Sequence, residues 1–162
     1  MNRSPSLPST VPNRFRVAAV QMIFADSIPG NLEKIERAVR TAQRRGADVI
    51  LFPECATTGY ACAFGALKPS VIEPALQAIA SMAARFRVNL LVGSPIFAGR
   101  RLYNALVVFD RNGRLAHVYA KCQLVESDLQ WFTPGNGLSL FSIDGVPATS
   151  IICHERRYPE LV

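Results

Sequence analysis

"ADVILFPE" (47–54) decides the fold class. Val49, Ile50, Leu51 and Phe52 form a short continuous apolar run, the pattern of a strand covered on both faces. Pro53, which has no N–H to give to a ladder, halts it. The segment before it, "NLEKIERAVRTAQRRG" (31–46), places Leu32, Ile35, Ala38, Val39 and Ala42 on one helical face, and Gly46 supplies the stop. "RVAAVQMIF" (16–24) reads as a further buried strand. "SVIEPALQAIASMAARFR" (70–87) reads as a second helix with Leu76, Ile79, Ala80 and Ala83 on its apolar face. Its start is either a Ser70–Glu73 capping box or Pro74 at the first helical position. "VNLLVGSPIF" (88–97) completes a strand–helix–strand–helix–strand rhythm, which predicts an α/β layer with a mainly parallel core.

The downstream pattern differs. "YNALVVFDRNGRLAHVYAK" (103–121) carries Asn112-Gly113 between two apolar runs, a strong hairpin signal. "LSLFSIDGVPATSIIC" (138–153) repeats the idea around Asp144-Gly145, and its second strand is predicted to run up to Cys153.

Composition excludes several classes. With 49% hydrophobic and 19% charged residues, 162 residues make about one globular domain. The net charge of +6 is spread over separate Arg pairs, so no nucleic-acid footprint is clustered on one face. No apolar run reaches the roughly 18 residues a membrane helix needs. Cys55, Cys62, Cys122 and Cys153 include no C-x-x-C pair, and His117 and His154 complete no metal set, so no metal or other cofactor is expected. Reduced thiols and a cytoplasmic setting are the expectation. Residues 1–14, rich in Pro and Ser and without an apolar core, read as a disordered tail, weakly compatible with an organelle-transit segment.

Three residues stand at strand ends: Glu54, Lys121 and Cys153. Open α/β sheets bind ligands beyond the carboxyl ends of their strands, so separation in sequence does not keep these three apart. Each alone is more often structural: a buried thiol, a loop acid, a solvated cation. Together they form a chemical set. A free thiol with pKa near ~8.5 is mostly protonated at neutral pH, and a carboxylate within reach takes that proton. An ammonium stabilises the oxyanion that forms when a carbonyl or nitrile is attacked.

"VILFPECATTGY" (49–60), "YAKCQL" (119–124) with "WFTPGN" (131–136), and "IICHERRYPEL" (151–161) resemble, in order, the three signature blocks of the nitrilase, or carbon–nitrogen hydrolase, superfamily. The opening "RVAAVQM" and the hairpin "YNALVVFDRNGRL" are similar to the family as well. The resemblance implies an α/β fold, a nitrilase-like αββα sandwich of which residues 15–162 supply the N-terminal portion, incomplete at the C-terminus. It implies Glu54 as general base, Lys121 as transition-state lysine, Cys153 as nucleophile and the His154 backbone N–H as a second oxyanion donor. A second family acid falls on Asp128 or Glu126. Arg157 and Glu160 are in register, as an ion pair holding the turn or as substrate contacts. The implied partner is a small-molecule amide, less so a nitrile or N-carbamoyl compound, with dimerisation of the full-length form. Two functions stand against each other: a thiol hydrolase, and a catalytically incompetent remnant or interaction module that retains the triad.

Overall fold

The computed structural model describes residues 14–161. A five-stranded sheet runs in sequence order: β1 (Val17–Ala19), β2 (Val49–Leu51), β3 (Asn89–Ala98), β4 (Arg101–Phe109) and β5 (Leu115–Ala120). Helix α1 (Ile28–Arg44) joins β1 to β2, and α2 (Pro69–Phe86) joins β2 to β3. These right-sized crossovers make β1, β2 and β3 parallel. A short helix α3 (Glu126–Leu129) and a two-stranded hairpin, β6 (Phe141–Ile143) with β7 (Val146–Ala148), follow.

The parallel core expected of the first three strands is present, and β4 and β5 extend it into a mixed sheet, because β3–β4 and β4–β5 pair antiparallel. Gly99 and Arg100 alone connect Ala98 to Arg101, and a two-residue loop permits only an antiparallel partner. Gly99 takes φ +59°, the backbone freedom such a turn uses. The two hairpins read from Asn112-Gly113 and Asp144-Gly145 are present. Asp144 and Gly145 both have positive φ, as a turn whose twist matches its flanking strands requires.

One face of the sheet carries α1 and α2. Ile35 and Val39 from α1, Ile79 and Ala83 from α2, and Ile50, Leu90, Val92 and Val107 from the strands close a dry core. Each fully buried aliphatic side chain contributes roughly 1.5–3 kcal/mol, more than either helix cap, so this face sets where the helices lie. Their ends differ from the sequence reading. Ser27 caps α1, accepting from the Gly30 N–H, which starts that helix at Ile28. Pro69 occupies the first turn of α2, and Pro74 lies inside the helix. The opposite sheet face holds Val49, Leu91, Leu106 and Val108 under the β6–β7 hairpin and Ile152. Leu51 remains 37% exposed there. Residues 149–152 pair with no strand, although Ile152 is extended, so the expected strand ending at Cys153 stops at Ala148. Apart from Arg14, the expected N-terminal tail lies outside the described residues.

Gly93, in the middle of β3, is fixed by close approach. A Cβ there would lie 2.3 Å from the Pro53 carbonyl oxygen and 2.6 Å from the Glu54 Cα. Replacing Gly93 by Ala is expected to cost about 3 kcal/mol or more, since backbone must give way. Gly99→Ala, in open space but at positive φ, is expected to cost only ~1–2 kcal/mol. Urea unfolding of both variants checks the order; equal losses would contradict it.

Candidate active site

The β2 ladder continues one residue past Leu51, through Phe52 N–H to the Leu91 carbonyl at 2.8 Å. Pro53 then turns the chain over Gly93, and a compact turn follows in which Cys55 takes φ +53°. That turn is fastened from below: the Asn31 side-chain amide donates to the Thr57 carbonyl at 3.2 Å, and Thr57 Oγ1 meets Ser94 Oγ at 2.8 Å. Glu54 is thereby aimed away from the helices. Its Oε1 accepts from Lys121 Nζ at 2.6 Å and from Asn104 Nδ2 at 2.6 Å.

Lys121 follows the last residue of β5 and is only 1% exposed. Its N–H donates to the Asn104 carbonyl at 2.8 Å, and its carbonyl accepts from Gly135 N at 2.9 Å. The loop carrying Gly135 closes over β5 so tightly that a Cβ there would sit 2.1 Å from the Ala120 oxygen. Of the two candidate second acids, α3 turns Asp128 inward and Glu126 outward. Asp128 Oδ2 accepts from Lys121 Nζ at 2.8 Å and is buried, while Glu126 is exposed.

Cys153 opens a 3-10 turn (Cys153–Arg157) with φ +50°, a conformation most side chains avoid. Cys153 is exposed and lines one cleft with Glu54, whose charge acts on its thiol. The structure therefore brings Glu54, Lys121, Cys153 and Asp128 together. The His154 ring turns away to Tyr158 Oη, 3.2 Å from Nε2; its backbone N–H lies in the first turn, where helical N–H groups have no intrahelical acceptor. No ion pair joins Arg157 to Glu160 among the described residues, where the acids that pair are Glu36, Asp48, Glu54, Asp128 and Asp144. A cleft of about 600 Å³ adjoins the group, lined by Phe24, Leu51, Glu54, Tyr60, Leu106 and Cys153 among others.

Burial pushes the Glu54 carboxyl up, but hydrogen bonds from Lys121 and Tyr60 and the lysine charge outweigh it and hold it below the usual carboxylate range. Burial pulls Lys121 down, and hydrogen bonds to Asp128 and Glu54 overturn that and raise it. The Cys153 thiol is raised first by burial and then by the neighbouring Glu54 carboxylate. At neutral pH the site thus holds an ionised acid, a charged lysine and a protonated thiol. All four cysteines are free thiols, and no group of three His, Cys, Asp or Glu among the described residues is placed to hold a metal.

Comparison with known proteins gives the family and the fold. The carbon–nitrogen hydrolase family model matches residues 16–162. This chain belongs to the carbon–nitrogen hydrolase family. A probable nitrilase of Schizosaccharomyces pombe is 27% identical over 154 residues, covering 90% of this chain and 57% of the relative. An omega-amidase of Danio rerio is 28% identical over 160 residues, covering 92% and 58%. A mutant amidase from Nesterenkonia sp. AN1, solved with butyramide, superposes with a TM-score of 0.84 at 21% identity, covering 91% of this chain and 59% of the other. The chain therefore spans a little over half the length of these carbon–nitrogen hydrolases, and the fold is the nitrilase fold. No helix among the described residues is long and apolar enough to cross a membrane.

Sequence reasoning missed two supports of the site in this family member. Asn104 is completely buried inside β4 and joins Glu54, Tyr60 and the Cys55 thiol. A polar residue amid "YNALVVF" was the available signal, since buried amides are kept only where they are bonded. Glu155 is likewise completely buried. The Lys121 ion pairs yield a stability prediction. Lys121→Met leaves two buried carboxylates without a cation and is expected to cost about 3–5 kcal/mol at neutral pH. A depressed carboxylate stabilises the fold above its unfolded pKa and loses that contribution as pH falls through the folded one. The gap between wild type and variant should therefore narrow as pH falls below ~4.5, the ordinary Glu value, toward ~3. Urea titrations at both pH values check this; a gap that does not narrow would contradict it.

Proposed function

We propose that this site hydrolyses the carbon–nitrogen bond of a small amide through a thioester on Cys153. The observation that carries the reading is the cleft that Glu54 and Cys153 line together, with the Glu54 carboxylate bonded to the Lys121 ammonium. That arrangement suits a nucleophile that is neutral at rest and loses its proton as it attacks. Glu54, held ionised, takes the thiol proton while sulfur bonds to the amide carbon. The carbonyl oxygen becomes an oxyanion. Lys121 spends two N–H bonds on Glu54 and Asp128, leaving a third for that oxygen, with the His154 N–H as a second donor. The proton on Glu54 passes to the nitrogen, the C–N bond breaks and ammonia leaves. Water then adds to the thioester, gives a proton to Glu54, and the acid departs as the proton returns to sulfur.

Asp128 keeps Lys121 charged and aimed; the exposed position of Glu126 gives it no such part. An amide is favoured over a nitrile because the Danio rerio relative is an omega-amidase and the Nesterenkonia amidase was solved with butyramide. Four free thiols fit a reducing, cytoplasmic setting.

Labelling with iodoacetamide and peptide mass spectrometry tests the reading. Cys153 is expected to react faster than Cys55, Cys62 and Cys122, and Cys153→Ala to abolish ammonia release from short-chain amides. Equal labelling with no ammonia would favour the non-catalytic module. The same assay carries a pH prediction. Glu54→Gln removes the negative charge that holds the thiol proton, so the midpoint for Cys153 alkylation should move down in pH toward an ordinary thiol, near ~8.5. An upward or absent shift would show that Glu54 does not control this thiol.

A further inference from the structure

Glu155 is 0% exposed, and no cation among the described residues pairs with it. Its carboxylate accepts four hydrogen bonds instead. Oε1 takes the Tyr119 hydroxyl at 2.8 Å, the Cys122 N–H at 2.6 Å and the Gln123 N–H at 3.1 Å. Oε2 takes the Ile152 N–H at 2.6 Å. The two oxygens thus hold different parts of the chain. One holds the residues on either side of Lys121; the other holds the residue immediately before Cys153. No strand pairing does this work, because residues 149–152 have left the sheet. The Glu155 N–H also returns a bond to the Ile152 carbonyl at 3.1 Å, closing a reciprocal ring around the first residue of the turn. Cys153 sits within that ring at φ +50°. Backbone strain of this kind persists only where surrounding bonds over-determine it.

We propose that Glu155 is a positioning residue that sets Cys153 against Lys121 and Glu54, acting through the Ile152 and Cys122–Gln123 backbone rather than on substrate. The inference rests on the reading of Cys153 as nucleophile and adds a residue to it. Its chemistry makes glutamine a selective probe. A carboxylate accepts on both oxygens, whereas an amide accepts on one and donates from the other end. With three donors on the Oε1 side and one on the Oε2 side, glutamine keeps its oxygen with the three and turns its NH2 toward Ile152 N–H. The tie to the Lys121 segment survives and the tie to the nucleophile is lost.

The pH dependence of iodoacetamide alkylation at Cys153 tests this in the purified chain, for wild type, Glu155→Gln and Tyr119→Phe. In Glu155→Gln the thiol should drift from Glu54, lowering its midpoint by about one pH unit, a roughly tenfold larger thiolate fraction at neutral pH. Cys62, remote from this network, should keep its own profile and so report an intact fold. Tyr119→Phe removes one bond and leaves all three backbone ties, so its Cys153 profile should match wild type. An unmoved Cys153 profile in folded Glu155→Gln would overturn the proposal. If Glu155→Gln does not fold, amide hydrogen exchange on wild type decides: Ile152, Cys122 and Gln123 should open together, and Ile152 exchanging independently of the other two would overturn it. The readings separate cleanly. Wild-type Cys153 reacting no faster than Cys62 sinks the nucleophile reading, whereas a reactive Cys153 indifferent to Glu155 sinks only the positioning role.

Discussion

Lys121 between two carboxylates is the constraint on which the site depends. An ammonium removed from water costs several kcal/mol unless its partners are close and well aimed, and truncating one partner of such a group is far more damaging than never having it. Here the partners are Glu54, brought by the end of β2, and Asp128, brought by a single turn of helix after β5. Each partner is set by close-packed backbone: Gly93 lets the Glu54 turn lie on β3, and Gly135 lets the following loop lie on β5. Asn104 ties the two together from β4, donating to Glu54 while its carbonyl receives the Lys121 N–H. The mixed sheet serves the same site, since the antiparallel β3–β4–β5 meander places Asn104 and Lys121 side by side, with β3 between them and the parallel strand that delivers Glu54.

The electrostatics divide the chemical labour. Burial first, and the Glu54 charge beside it, keep the Cys153 thiol protonated at rest. On the proposed reading, reactivity then depends on geometry: a thiol sharing a cleft with its base, a lysine with one N–H uncommitted, and a nucleophile held in a strained turn. Glu155 belongs to this second kind of control. It carries charge, yet what it contributes is the placement of three backbone N–H groups.

Much of this was legible in the sequence, and the exceptions share a cause. Continuous apolar runs gave β2 and β3, helical spacing gave α1 and α2, and glycine-bearing turns gave two of the hairpins. Local pattern did not reveal the Gly99-Arg100 turn, because Arg100-Arg101 reads as a solvated pair and hides an antiparallel return. It also extended a strand to Cys153, since Ile151-Ile152 is apolar and β-branched; the Glu155 carboxylate takes the N–H that a ladder would have used. The choice between Asp128 and Glu126 could not be made from spacing alone. A four-residue helix decides it, turning one acid toward Lys121 and the other to water.

The most direct test of the thioester reading is the covalent intermediate itself. The chain would be incubated with butyramide, quenched in acid and digested, and the peptide carrying Cys153 examined by mass spectrometry. The expected result is a butyryl group on Cys153, removed by hydroxylamine and absent from Cys153→Ala. Ammonia released while Cys153 never carries an acyl group, or release undiminished in Cys153→Ala, would contradict it.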